Sequence, residues 1–270
     1  MEYTGVKALQ GAAALDRAAP LFESWEETMI WAVLEGRMGQ MWVCAQEAET
    51  SVQPAVACCQ NGDFLFFAGD AGSDQALQLV QGIRTLLDER FSIATPQNEQ
   101  WSELITRVFG ERAKAGERYA ICKEPDCFDR EHLQRLAAAL PGMIQLLPID
   151  AALYQRIMES SWARDFCSQF GSAEVFAREG LGFVALEDGE IIGGASSYIR
   201  YNNGIEVQVE THPDHRRRGI ATACSAKLIL ECMERGLYPS WDAANRISVH
   251  LAEKLGYREK GAYRVWYLNG

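Results

Sequence analysis

Between Ile205 and Glu231 the hydrophobic period of the chain changes, and three consecutive arginines stand at the change. Ile205, Val207 and Val209 alternate with Glu206, Gln208 and Glu210, a period of two that reads as a strand with an apolar face and a carboxylate-bearing one. The loop Thr211-His212-Pro213-Asp214-His215 follows, then Arg216-Arg217-Arg218-Gly219, then an amphipathic helix over Ala221 to Arg235. Gly219 lets backbone come close to a ligand, and the first turn of the next helix presents N–H groups with no intrahelical partner. A diphosphate fits such a place, held by backbone donors, the positive helix end and nearby guanidinium groups. A charge run is more often a solvated surface. Its position between a strand and a helix favours the phosphate reading here, with Arg216, Arg217, Arg218, Gly219, Ile220, Ala221 and Thr222 as the binding set.

Arg-x-x-Gly-x-Ala after an extended strand resembles the acyl-CoA pyrophosphate loop of the GNAT superfamily of N-acetyltransferases. Further features follow in that family's order: a short strand over Leu237 to Trp241, Asn245, a helix over Ile247 to Leu255, and Gly256-Tyr257 leading into a last strand. The phrases Trp241-Asp242-Ala243-Ala244-Asn245 and Leu251-Ala252-Glu253-Lys254-Leu255-Gly256-Tyr257 look most like bacterial two-domain members, the group that includes zwittermicin resistance acetyltransferases. The resemblance covers residues 181 to 268. It implies acetyl-CoA as cosubstrate, a small-molecule amine as acceptor, and central strands that splay to admit the pantetheine arm. A backbone N–H in Val209, Glu210 or Thr211 would polarise the thioester carbonyl. Asn245, which also reads simply as a helix cap, would hydrogen-bond the pantetheine, with Ser248 facing the same ligand.

The same resemblance puts a catalytic base on the central strand. Glu206 is expected ahead of Glu210, although alternation alone explains both as solvent-facing residues. Many members carry in the last helix a tyrosine that protonates the departing thiolate; here that place is Ala252, so the acid is not assigned. The rival to an enzyme is a module that binds acyl-CoA without turnover.

The rest of the chain reads as a mixed α/β fold in two domains, expected at 1–128 and 129–270 with a boundary at Pro125-Asp126-Cys127-Phe128. In the first half a helix over Leu21 to Glu35 precedes extended runs at Met41 to Ala45, Val52 to Cys58 and Phe64 to Phe67. A helix over Ser73 to Asp88, a strand at Phe91 to Ala94, a helix over Asn98 to Phe109 and a strand near Tyr119 to Cys122 follow. That order matches the second half from Leu181 onward, so the N-terminal half is either a divergent copy of the same fold or an unrelated α+β lid. Its counterpart of the arginine loop, Ala68-Gly69-Asp70-Ala71-Gly72-Ser73, has no cation and an aspartate that would repel a diphosphate. In the second half Asp129 should cap a helix through Leu140, and Met143 to Leu147 should be the first strand. A helical region over Ala151 to Arg178, which the resemblance places along the acceptor pocket, precedes a hairpin turning at Asp188-Gly189.

Charge narrows the partners. The net charge is -11, unevenly spread: residues 1 to 140 hold 12 basic and 21 acidic side chains, the remainder 14 and 16. Nucleic-acid binding, which needs a broad basic face, is not expected. The eight cysteines show no regular spacing and read as reduced core thiols of a cytoplasmic protein. Met1 to Thr4 lacks a secretory pattern, and no run is long and apolar enough for a membrane span. His212 and His215 are spaced like metal ligands, yet a zinc site needs three or four ligands and no nearby cysteine or carboxylate cluster completes one, so no metal is expected. Monomer and homodimer stay equally open.

Overall fold

A computed structural model describes residues 5–49 and 51–269; Met1 to Thr4, read above for a leader, lie outside the described residues. The chain forms two compact units, residues 1–118 with 263–270, and residues 119–262. The division thus falls ahead of the expected boundary: Pro125–Cys127 is a 3-10 turn inside the second unit, and the end of the last strand belongs to the first.

The first unit contains β1 (Val6–Ala8), α1 (Ala12–Ala18), α2 (Thr28–Leu34), β2 (Gln40–Cys44), α3 (Ala45–Ala48), β3 (Val56–Asn61), β4 (Phe64–Gly69), α4 (Asp74–Leu87), β5 (Ser92–Pro96), α5 (Glu99–Phe109) and the start of β6 (Ala113–Ile121). The helix expected over Leu21 to Glu35 is in fact a 3-10 turn, Ala19–Phe22, followed by α2. Glu27 breaks the run: it is extended (φ -124°) and its carboxylate accepts from Met29 N–H, capping the new helix. Ser73 and Asn98 cap α4 and α5 in the same way, accepting from Ala76 and Trp101 N–H. The core of the unit lies between these two helices and the sheet, around Leu65, Phe67, Leu79, Ile83, Trp101 and Ile105.

The second unit contains α6 (Arg130–Ala137), β7 (Ile144–Pro148), α7 (Ala151–Glu159), a 3-10 turn (Arg164–Phe166), α8 (Ala173–Glu179), β8 (Gly182–Glu187), β9 (Glu190–Tyr201), β10 (Gly204–Thr211), α9 (Ile220–Glu234), β11 (Tyr238–Ser240), β12 (Asp242–Ala243), α10 (Arg246–Lys254) and the start of β13 (Glu259–Leu268). Asp129 caps α6 as expected. The single helical region over 151–178 becomes three pieces, because Ser160 is extended and takes the N–H groups of Trp162 and Ala163, and Ser172 is extended and caps α8. Asp188 (φ 50°) and Gly189 (φ 83°) both have positive φ, the two-residue turn that an Asp-Gly pair favours, and it joins β8 to β9.

One topology occurs twice. In the first unit β1, β2, β3 and β4 are antiparallel neighbours in that order, and α4 carries the chain to β5, parallel to β4. In the second, β7, β8, β9 and β10 are antiparallel neighbours, and α9 carries the chain to β11, parallel to β10. The strands that close each repeat are exchanged along the chain. The end of β13 pairs with β5 in the first unit (Trp266 with Ala94, Leu268 with Ser92), and the end of β6 pairs with β12 in the second (Ala120 with Asp242, Tyr119 with Ala243).

Candidate functional site

The two parallel strands of the second unit part company. β10 pairs with β11 only through Gly204, Ile205 and Glu206, opposite Tyr238, Pro239 and Ser240. From Val207 to Thr211 it continues beside β9 alone, and these five residues are half-buried. The register against β9 slips at the same point: Glu206 faces Ile199 while Val207 faces Ser197, which leaves Tyr198 over. A bulge of this kind bends and twists a strand, and here it stands where β10 leaves β11. The first unit shows no such opening, since β4 stays paired with β5 over Phe64 to Phe67.

Alternation then sorts the side chains of β10. Ile205, Val207 and Val209 pack toward α9 with Ile220, Cys224 and Leu228. Glu206, Gln208 and Glu210 take the other face, where Gly194, the partner of Glu210, leaves room for the Phe166 ring. Glu206 is only 3% exposed and lies opposite Ser240. Ser240 Oγ accepts from Lys123 Nζ at 2.9 Å. Glu210 is less enclosed. Burial pushes its carboxyl above the ordinary value, Arg216 draws it back down, and Asp165 pushes it up again.

The basic loop is shaped by backbone as much as by charge. After a 3-10 turn at Pro213–His215, Arg216 is extended (φ -65°, ψ 160°). Arg217 (φ 61°) and Gly219 (φ 82°) are left-handed. Ile220 is buried and anchors the start of α9, whose first intrahelical bond is Ala223 N–H to Gly219 C=O at 3.0 Å. The N–H groups of Ile220, Ala221 and Thr222 therefore have no partner within the helix. A Cβ at Gly219 would meet nothing within 4 Å, so open space lies in front of these donors. That combination of left-handed turn, free helix N-terminus and vacant Cβ position suits a diphosphate.

The three arginines of this loop are placed differently. Arg218 makes a bidentate pair with Glu187. Arg216 lies 4.0 Å from Glu210 and its Nε donates to Thr211 C=O at 3.4 Å. Arg217 is exposed and pairs with no carboxylate among the described residues. The histidines of the loop pack on rings: His212 against Trp162 at 5.2 Å and against His215 at 5.7 Å. His215 Nδ1 also meets Arg218.

On the far side of the opening, Asn245 caps α10, its Oδ1 accepting from Ser248 N–H at 3.0 Å; its Nδ2 has no part in that cap. Ser248 Oγ accepts from Trp241 Nε1 at 3.0 Å and keeps its own O–H to donate. Ala252 is fully buried beside Leu133, Leu255 and Tyr257, so that position holds core and supplies no proton. Sequence reasoning missed Glu187, Asp165 and Lys123. Each reaches the site through a contact distant along the chain, which no local pattern announces.

In the first unit the corresponding loop satisfies itself. Asp70 Oδ1 accepts from Gly72 N–H at 3.0 Å, and Ser73 Oγ donates to Asp70 C=O at 2.7 Å. A side-chain carboxylate thus occupies the donor that an anion would take.

The model of the family described as GNAT acetyltransferase matches residues 19–266. A solved structure of a GCN5-related N-acetyltransferase-like protein from Streptococcus suis 89/1591 is 40% identical, covers 95% of this chain and 99% of its own, and superposes with a TM-score of 0.85. An uncharacterized N-acetyltransferase, YdfB of Bacillus subtilis (strain 168), is 25% identical over 209 residues, 75% of this chain and 76% of that protein. A tandem GNAT protein from the clavulanic acid biosynthesis pathway shares the fold, with a TM-score of 0.56 over 97% of each chain at 13% identity. The chain belongs to the GNAT acetyltransferase family, enzymes of acyl-CoA-dependent N-acetylation.

Proposed function

We propose that the enzyme transfers acetyl from acetyl-CoA to the amine of a small molecule by direct attack, in the opening between β10 and β11. The observation that carries this reading is the parting of these strands beside the Arg217–Gly219 turn, with a buried carboxylate, Glu206, at the point where they part. Acetyl-CoA, when bound, supplies the activated thioester. Arg217 and the N–H groups of Gly219, Ile220, Ala221 and Thr222 would hold its diphosphate, and Asn245 its pantetheine arm. A backbone N–H of Val209, Glu210 or Thr211 would polarise the acyl carbonyl.

Glu206 takes the proton of the amine, which is mostly ionised at neutral pH and cannot attack until it is lost. The amine nitrogen then forms its bond to the acyl carbon as the bond to sulfur breaks. Ser248 Oγ is the hydroxyl available to protonate the sulfur, with water as its substitute. A thiol pKa of about 8.5 makes thiolate a fair leaving group, so a buried Ala252 in place of a phenol is tolerable.

The acceptor reads as cationic, an amino-bearing antibiotic or a polyamine, because Asp165 and Glu210 approach each other at the half-buried end of β10. The likeness to zwittermicin resistance acetyltransferases points the same way. Thiol release from acetyl-CoA against a panel of amines tests the reading. Turnover with no member of a panel that spans polyamines and aminoglycosides would sink the cationic acceptor.

A further inference from the structure

One arginine of the loop is committed to the protein itself. Arg218 Nη1 donates to Glu187 Oε2 at 2.7 Å and Nη2 donates to Oε1 at 2.5 Å, while Nη1 also donates to His215 Nδ1 at 2.7 Å. His215 Nδ1 lies 3.4 Å from Glu187 Oε2, which closes the three side chains into a ring of contacts. The Glu187 side chain is 15% exposed and that of Arg218 33%, so the pair is partly shielded from water. Glu187 ends β8, directly before the tight Asp188-Gly189 turn, and is therefore carried by a stiff hairpin. A bidentate guanidinium–carboxylate pair fixes the plane of the arginine as well as its direction. The residues on either side of Arg218 are Arg217 and Gly219, the two left-handed positions of the loop. Of these Arg217 is not a glycine, and its conformation persists only where the surroundings impose it.

We propose that Glu187 is a positioning residue for acetyl-CoA: through Arg218 and His215 it holds the left-handed turn at Arg217 and Gly219 and so aims the loop's N–H groups at the diphosphate. This rests on the diphosphate reading of the loop. Arg218 then serves the protein, and Arg217 is the guanidinium that faces the ligand. The competing arrangement has Arg218 on the phosphates and Glu187 as a mere opposing charge. The two differ in sign, because loss of an opposing charge tightens anion binding and loss of a support weakens it.

The test is calorimetric titration with acetyl-CoA and steady-state kinetics on wild type, Glu187→Gln, Arg218→Met and the double variant. Binding by wild type, lost in Gly219→Glu, establishes the loop independently of the clamp. Glu187→Gln should raise KM for acetyl-CoA about tenfold, the scale of one charge-assisted pair, and leave kcat and the amine KM within about twofold. Arg218→Met should match it, and the double variant should be no worse than the poorer single one, since both remove one support. Affinity in Glu187→Gln equal to or tighter than wild type overturns the proposal. So do additive losses in the double variant, or a fall in kcat together with the melting temperature, which would mark a general loss of packing.

Discussion

Glu206 and Glu210 lie on one face of one strand, and their surroundings separate their roles. Glu206 is nearly enclosed where the strands part, whereas Glu210 shares its end of β10 with Arg216 and Asp165. Glu206→Gln keeps the shape and removes the basicity. It should lower kcat about a hundredfold, the scale of a lost general base, with acetyl-CoA affinity unchanged. Without a phenol in the last helix, the rate should rise with pH along a single limb. If Glu206→Gln keeps the wild-type rate and profile, the base is elsewhere and Glu210 is next in line. Glu210→Gln is expected to keep kcat within about threefold. Its own signature is thermal. The folded-state carboxyl is raised, so the fold binds that proton more tightly than the unfolded chain does. Ionising it costs stability as pH rises through the raised value, and the cost is absent below the ordinary carboxylate range. Glu210→Gln should therefore melt higher than wild type at pH 7 and alongside it near pH 4, about the ordinary carboxylate value; a lower melting temperature at pH 7 would contradict this. Alternation in the sequence was enough to put both carboxylates on one face. Which of them is buried depends on the slip in register at Tyr198, and nothing local in the sequence marks that residue.

The helix caps and turns were the elements most readable from sequence. Asp129 and Asn245 each accept from the N–H three residues on, and Asp188-Gly189 makes the two-residue turn. Each of these depends on a few neighbouring residues, and short-range chemistry is what a sequence displays. The pieces within 151–178 were not separable, because Trp162, Phe166, Phe170 and Phe176 keep a helical spacing that two extended serines interrupt. At the loop and helix start of α9, Gly219 combines positive φ with open space, and two substitutions divide these properties. Gly219→Ala should cost about 1–2 kcal/mol of stability for an L residue in the left-handed region and weaken acetyl-CoA only modestly. Gly219→Glu adds bulk and negative charge at the proposed diphosphate site, and calorimetry should find acetyl-CoA binding abolished. Equal affinities for wild type and Gly219→Glu would remove the diphosphate from this loop.

At the scale of the whole chain, eight free cysteines and the exchanged closing strands both bear on what can be taken apart. Burial lifts the thiols of Cys44, Cys167, Cys224 and Cys232 to about 12 and those of Cys58 and Cys59 well above the usual range. At pH 8 a thiol at about 12 is thiolate only about once in ten thousand. A thiol reagent should thus label Cys122 and Cys127, the two partly exposed cysteines, well before the six buried ones. Early labelling of a buried cysteine by mass spectrometry would count against the packing.

The exchange of closing strands makes a firmer claim about cutting the chain. A sequence reading places the cut at the Pro125 to Phe128 turn, with residues 129–270 as the catalytic domain. Such a fragment lacks Tyr119 and Ala120, the partners of β12, and Ile121, part of the core around Leu133, Ala243 and Tyr257. It keeps Val265 to Leu268, an apolar run whose partner strand is β5 of the first unit. The fragment is left with one sheet edge uncovered and one apolar strand unpaired, the combination that drives edge-to-edge association. No local pattern could have revealed this, because β6 and β13 read as ordinary last strands of their own repeats until their partners are known. Residues 129–270 expressed alone should aggregate, or stay soluble without acetyl-CoA binding, when compared with the full chain by size exclusion and calorimetry. A monomeric fragment with full acetyltransferase activity would show that the exchanged strands are dispensable and that the two repeats close independently.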